Sequence, residues 1–231
     1  MIRNRRVSAA VAAMATLALP GAGAAQTQGG VHAPNVRHGA VIAAQGTAAG
    51  APGCAQCHAF NGTSDGSGAF PRIAGQSDHY LARQLADFAS GVRANAVMSP
   101  IAKALTADDI ADVAAFYAKQ DPPFLPLPKA DAALVKAGEQ LAKVGSAARG
   151  IQACDNCHGP EGAGEPPAIP YLAGQYAPYI ALELRMWQRG FRKTSPNFMA
   201  VVAKDLNDQE IAAVAAYYQQ VRGTSETAAA R

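Results

Sequence analysis

The sequence predicts an all-α protein built as two copies of one helical unit in tandem. Three observations carry that expectation. Cys54-Ala55-Gln56-Cys57-His58 recurs 100 residues later as Cys154-Asp155-Asn156-Cys157-His158. Near the end of each copy the apolar residues fall at helical spacing, as Ile110, Val113, Ala114 and Tyr117 and again as Ile211, Val214, Ala215 and Tyr218. No stretch alternates apolar and polar residues with the period of two that a half-buried strand needs.

The repeat extends well beyond the cysteines. Pro71-Arg72-Ile73-Ala74-Gly75-Gln76 returns as Pro170-Tyr171-Leu172-Ala173-Gly174-Gln175, Tyr80 as Tyr179, and Gly91-Val92-Arg93 as Gly190-Phe191-Arg192. Leu105 to Lys119 aligns with Leu206 to Gln220, with seven of fifteen positions identical. Between the copies, Asp121-Pro122-Pro123-Phe124-Leu125-Pro126-Leu127-Pro128 cannot continue a helix and favours an extended connector. The expected layout is a cleaved segment over 1–25, a first domain over 26–120, a Pro-rich linker over 121–128 and a second domain over 129–231. Each domain is near the small end for a self-sufficient core, and aromatics make up only 6% of the chain. Such domains usually need a staple or a prosthetic group.

Within each copy the helices can be placed in order. Gly39 and Gly138 lie in the first helix, where a missing side chain permits a close helix crossing; in the second copy that helix runs over Ala130 to Val144, with Leu134, Ala137 and Leu141 at helical spacing. Leu81 to Phe88 and Tyr179 to Trp187 read as middle helices. The last helix opens at Thr106 with Asp109 three residues on, or at Asn207 with Glu210, and the second pair approximates a capping box.

The N-terminus reads as an export signal. Arg3, Arg5 and Arg6 form a positive start, Val7 to Leu19 is an uncharged run of 13 residues, and Ala22-Gly23-Ala24 gives the small-x-small pattern that places cleavage near Ala24 and Ala25. Thirteen residues are too few to span a bilayer, which takes about 20. The mature protein is expected outside the cytoplasm, in the periplasm. Those three arginines supply the whole net charge of +3; without them 17 basic residues face 17 acidic ones. That balance leaves no electrostatic footprint for nucleic acid and no polybasic membrane patch.

Four cysteines in an exported chain would ordinarily pair as disulfides, but their arrangement points elsewhere. Two Cys-x-x-Cys pairs could share one zinc ion, which would leave both histidines idle. A thioredoxin-like redox pair expects a βαβ setting that is absent. The third chemistry is covalent haem, for which Cys-x-x-Cys-His is the attachment sequence. Two thiols one helical turn apart reach two vinyl groups of one porphyrin, and the next residue places its imidazole beneath the iron. On this reading Cys54, Cys57, Cys154 and Cys157 attach two haem c groups, and His58 and His158 are iron ligands.

Met98 lies 40 residues after His58 and Met199 lies 41 after His158. They are the methionines that occupy equivalent places in both copies, so they are expected as the second axial ligands, whereas Met186 reads as core filling. A thioether opposite the histidine favours ferrous iron and raises the potential, and two strong ligands close the iron to oxygen or substrate. His32, His38 and His79 have no histidine counterpart and read as solvated. The carbonyls of Pro71 and Pro170 stand either as acceptors for the ligand histidines or as simple turn positions. Arg93, Arg192, Lys103 and Lys204 read as solvated charges or as partners for haem propionates. Trp187, with no tryptophan opposite it in the first copy, reads as packing or propionate bonding.

With these residues in view, the chain resembles the class I cytochromes c and, among them, the dihaem cytochrome c4 family. The resemblance covers about Gly39 to Val221 and rests on the two Cys-x-x-Cys-His motifs with Met98 and Met199, the Pro-x-Ile/Leu-Ala-Gly-Gln elements, Tyr80 and Tyr179, and Met98-Ser99-Pro100-Ile101-Ala102. It implies two tandem cytochrome c folds about a pseudo-twofold axis. It further implies that Pro71 and Pro170 accept the histidine N–H bonds, and that the protein is a periplasmic electron carrier, commonly serving a terminal oxidase.

An electron-transfer protein rather than an enzyme is therefore expected, with redox proteins as partners. The donor would be a quinol-oxidising complex or a dehydrogenase and the acceptor a terminal oxidase; there is no transmembrane span, and loose membrane association is compatible. Two alternatives differ in kind. A dedicated cytochrome subunit of a periplasmic dehydrogenase would co-purify with its enzyme, and a dihaem peroxidase would need one displaceable ligand, against which Met98 and Met199 argue.

Overall fold

A computed structural model describes residues 33–126 and 129–221. The expected signal over 1–25 with its cleavage site, His32, the Leu127-Pro128 end of the linker and the last ten residues lie outside the described residues. The described chain is helical, without a strand beyond isolated bridges. It comprises α1 (Val36–Gln45), α2 (Ala55–His58), α3 (Asp78–Ser90), α4 (Met98–Lys103) and α5 (Ala107–Ala118) in the first copy. The second copy repeats them as α6 (Ala132–Lys143), α7 (Asp155–His158), α8 (Ala177–Gln188), α9 (Met199–Asp205) and α10 (Asp208–Gln220). Two single-turn 3-10 helices, Ala147–Arg149 and Pro160–Gly162, occur in the second copy.

The helix starts follow from capping chemistry. The Asn35 side chain accepts the amides of Arg37 and His38, Ser77 accepts that of Tyr80, and Asp131 that of Leu134. Each satisfies an amide that the first turn leaves without a partner, a contribution of about 1 kcal/mol. The last helix has a full capping box in both copies, with Asp109 reaching back to Thr106 as Glu210 does to Asn207. The middle helices start earlier than expected, at Asp78 and Ala177, because the first turn is placed by the Ser77 cap in one copy and by the preset φ of Pro178 in the other.

In each domain the first helix packs on the last. Ile42, Ala43, Val113, Phe116 and Tyr117 fill the first core. The second gathers Leu141, Ala142, Ile211, Val214, Tyr217 and Tyr218 with Ile180, Leu184 and Trp187 of α8. Gly39 and Gly138 make the crossings. A Cβ on Gly39 would lie 2.1 Å from the Asp112 carbonyl oxygen, and one on Gly138 would lie 2.0 Å from that of Ala213. The backbones touch there, as the expectation of a close crossing required.

His38 is exposed, as expected, but it also holds a buried partner. Its Nδ1 lies 2.8 Å from Oδ2 of Asp112, a carboxylate that is 1% exposed and that also accepts the Asn35 amide at 2.6 Å. A buried carboxylate needs such partners, and the start of α1 supplies two of them. His79 is exposed, as expected.

Candidate functional site

Each Cys-x-x-Cys-His segment is a single helical turn. In α2 and α7 the amide of the histidine bonds the carbonyl of the first cysteine, Cys54 or Cys154, at 2.9 and 3.0 Å. All four cysteines are free thiols. Burial pushes the thiols of Cys54 and Cys154 up to about 11, so both are protonated at neutral pH. Among the described residues no three His, Cys, Asp or Glu side chains cluster to hold a metal ion, so the two pairs do not converge as a shared zinc site would require.

Both histidines are buried and hold the same bond. His58 Nδ1 lies 3.1 Å from the Pro71 carbonyl oxygen and His158 Nδ1 lies 2.8 Å from that of Pro170. A carbonyl oxygen can only accept, so Nδ1 carries the proton and Nε2 is left with its lone pair. Burial, the larger influence, lowers the affinity of both imidazoles for a second proton, and the carbonyl bond partly offsets it. A neutral imidazole with a fixed tautomer is the form that ligates a metal.

Met98 and Met199 each begin an equivalent short helix, α4 and α9, and each is half-buried. The sequence reading did not place these helices. Asn95 supplies the missing cap in the first, its side chain accepting the amides of Val97 and Met98. In the second, the Ser195 carbonyl takes the amides of Phe198 and Ala200. Met199 and Cys154 pack on one core.

The donor set fits a covalently attached haem in each domain. Each copy offers two free thiols on one turn, a buried imidazole with an available Nε2 and a methionine at the same place. Arg72 adds a further indication. It directly follows Pro71 and is 5% exposed; its Nη2 donates to the Pro122 carbonyl, while its Nη1 is buried with no partner among the described residues. Such an orphaned cationic donor suits an anionic group.

The two domains meet through reciprocal contacts. Ala94 N donates to Phe191 O at 3.1 Å and Lys193 N to Val92 O at 2.9 Å, an antiparallel bridge at Arg93 and Arg192. Both arginines are buried, so they are not the solvated charges that one expectation made them. The Glu183 carboxylate lies 2.7 Å from Arg93 and 2.6 Å from Arg192, and Oε1 of Gln84 accepts from both guanidiniums at 2.9 Å. Arg93 also bonds the Tyr179 hydroxyl and Arg192 that of Tyr80. Lys103 and Lys204 are exposed. Trp187 is settled as a packing residue: its Nε1 donates to Thr194 O and the Arg192 guanidinium stacks 3.8 Å from its ring centroid. Its true counterpart is Phe88, under Arg93 at 4.4 Å. Sequence reasoning missed this network, although the pairs were present in the repeat.

The family model for cytochrome c matches residues 43–120 and again 135–222. A thiosulfate dehydrogenase electron acceptor from Stutzerimonas stutzeri is 40% identical over 75% of this chain and 81% of its own. Among solved structures, a thiosulfate dehydrogenase from Marichromatium purpuratum superposes with a TM-score of 0.73 at 37% identity, over 81% of this chain but only 40% of that one. Reduced recombinant cytochrome c4 from Pseudomonas stutzeri superposes with a TM-score of 0.71 at 30% identity, over 82% of this chain and 100% of that one.

Proposed function

The chain belongs to the cytochrome c family, as a tandem protein of the cytochrome c4 kind with two covalently bound haem c groups, and from that premise we propose that it carries electrons between respiratory redox proteins in the periplasm. When bound, haem c supplies a one-electron iron couple. The residues assigned to hold it are Cys54 and Cys57 with His58 and Met98 in the first domain, and Cys154 and Cys157 with His158 and Met199 in the second. The single observation that carries this reading is the matched pair of bonds from His58 to Pro71 and from His158 to Pro170. Each fixes the proton on Nδ1 and turns Nε2 toward ligation; burial keeps water from competing.

Thioether ligation by Met98 and Met199 would close both irons to oxygen or substrate, which favours transfer over turnover. The Met1–Ala25 segment supports a periplasmic setting, and among the described residues no helix is long and apolar enough to cross a membrane. Delivery toward a terminal oxidase follows the family resemblance.

The experiment is carbon monoxide binding to the purified, fully reduced holoprotein, read in the visible spectrum. No binding at either haem is expected. Stoichiometric binding at one haem would overturn the carrier reading and favour a peroxidase-like enzyme.

The likeness to a thiosulfate dehydrogenase electron acceptor favours a second reading, in which the donor is a periplasmic dehydrogenase that keeps this protein as its cytochrome partner. Rapid reduction by such an enzyme, together with co-purification, distinguishes a dedicated subunit from a free carrier.

A further inference from the structure

The peptide groups that orient the two histidines are each held from the opposite domain. The Pro71 carbonyl, which accepts from His58, and the Arg72 amide are two ends of one planar peptide unit. That amide donates to Oε1 of Gln175 at 3.0 Å, while Nε2 of Gln175 donates to the Arg72 carbonyl at 2.8 Å. The second domain repeats the arrangement in mirror roles. The Pro170 carbonyl accepts from His158, the Tyr171 amide donates to Oε1 of Gln76 at 3.3 Å, and Nε2 of Gln76 donates to the Tyr171 carbonyl at 3.3 Å. Both glutamines are buried at 6% exposure, as are Arg72 and Tyr171 at 5% and 4%. Each Oε1 also accepts the amide of the next residue, Ser77 or Tyr176, so each side chain is pinned in place by its own domain.

The result is a continuous chain of hydrogen bonds from His58 through one peptide unit to Gln175, and another from His158 to Gln76. Two physical effects run along such a chain. A peptide whose N–H is engaged has a more polarised carbonyl, which strengthens the bond it accepts. A peptide held at both ends also cannot rotate about its flanking bonds, so the imidazole plane is fixed with it.

We propose that Gln76 and Gln175 are crossed positioning residues, each setting from its own domain the orientation and basicity of the histidine in the other. The surroundings of the two histidines are then coupled across the interface through hydrogen bonds and the peptide units between them. The proposal rests on the reading that His58 and His158 are the axial ligands.

The test uses the oxidised holoprotein and its paramagnetic proton spectrum, with the shifted resonances assigned to each haem, alongside the potential of each haem. Gln175→Met keeps volume and removes both hydrogen bonds to Arg72, together with the one from the Tyr176 amide. It is expected to move the axial-histidine resonances and the potential of the first domain's haem, with the second domain's unchanged. Gln76→Met is expected to do the reverse. Gln→Glu at either position retains the acceptor for the amide and serves where the methionine variant does not fold; it is expected to move the same, opposite haem by less. Each variant moving its own domain's haem, both haems equally, or neither would overturn the proposal alone. Absence of shifted imidazole resonances for His58 and His158 in the unaltered protein would overturn the ligand reading and this proposal with it. A merely structural glutamine would loosen the interface without selecting the haem across it.

Discussion

Arg93 of the first domain and Glu183 of the second meet at 2.7 Å, with both side chains nearly removed from water. The same carboxylate holds Arg192 of its own domain at 2.6 Å. One carboxylate thus serves two guanidiniums, because the equivalent position in the first copy is the neutral Gln84. Removing that carboxylate leaves two cations facing each other in a region with little solvent to screen them. Glu183→Gln is expected to destabilise the domain interface by about 3–5 kcal/mol, the usual consequence of stripping one partner from a buried pair. Chemical unfolding of the holoprotein measures it; a change under 1 kcal/mol would mean the guanidiniums are satisfied elsewhere.

The same group gives the interface a defined acid response. Burial alone would raise the Glu183 carboxyl, but Arg93 and Arg192 outweigh burial and hold it below its ordinary value of 4.5. A carboxyl depressed in the folded state contributes stability that is complete above the unfolded value and is lost as pH falls through the folded one. The stability difference between the unaltered protein and Glu183→Gln is therefore expected to be constant from neutral pH down to about 4.5 and to shrink below it. Unfolding midpoints of both proteins across pH 3–7, roughly the range in which carboxylates titrate, check this. A difference that grows toward acid would reverse the assigned sign.

Ala59 stands at φ 58°, ψ 157°, a region that glycine alone enters freely, and its counterpart Gly159 stands at φ 73°, ψ 165°. The first domain therefore carries strain beside His58 that the second avoids. Such a residue stores about 1–3 kcal/mol. Ala59→Gly is expected to stabilise by about 1 kcal/mol, net of the extra freedom glycine gives the unfolded chain. Gly159→Ala is expected to cost about 1–3 kcal/mol. Thermal unfolding of the pair reads both signs, and effects of the same sign from the two substitutions would remove the strain argument.

The helix crossings at Gly39 and Gly138 tolerate no side chain, because the obstructing atoms are backbone carbonyls of α5 and α10. Gly39→Ala and Gly138→Ala are each expected to destabilise by at least about 1–3 kcal/mol as the helices are forced apart. Urea midpoints with an unchanged slope would report the loss as overpacking rather than a change in unfolding behaviour.

Met98→Ala removes the proposed thioether ligand of the first haem. The potential of that haem is expected to fall and its iron to bind carbon monoxide stoichiometrically, while the second haem keeps both properties. An unchanged spectrum and potential would end the assignment of Met98.

The duplication, the thiol pairs and the capped last helices could be read from the chain because each depends on residues close in sequence. Pro71 and Pro170 needed the family resemblance to decide between two roles, and the structure places both carbonyls on histidine Nδ1. What sequence reasoning lost lies across the interface. Arg93 and Arg192 look like solvated cations until a second domain buries them, and Gln76 and Gln175 stand in the repeat while the peptide units they hold belong to the other copy. A polar residue repeated at the same place in both copies, inside an otherwise apolar element, was the available signal. The bond between His38 and Asp112 had no such signal, since the second copy has alanine at both positions.

The reciprocal pairing of Ala94 with Phe191 and of Lys193 with Val92 is what a dimer of identical subunits would display about its symmetry axis. Fusing two such subunits into one polypeptide releases them from having to change together. A symmetric pair of first domains would bring two arginines together with no carboxylate, and a symmetric pair of second domains would bring two carboxylates. The fused chain alone can hold one of each, Gln84 against Glu183, and so can give two halves of common design unequal electrical surroundings.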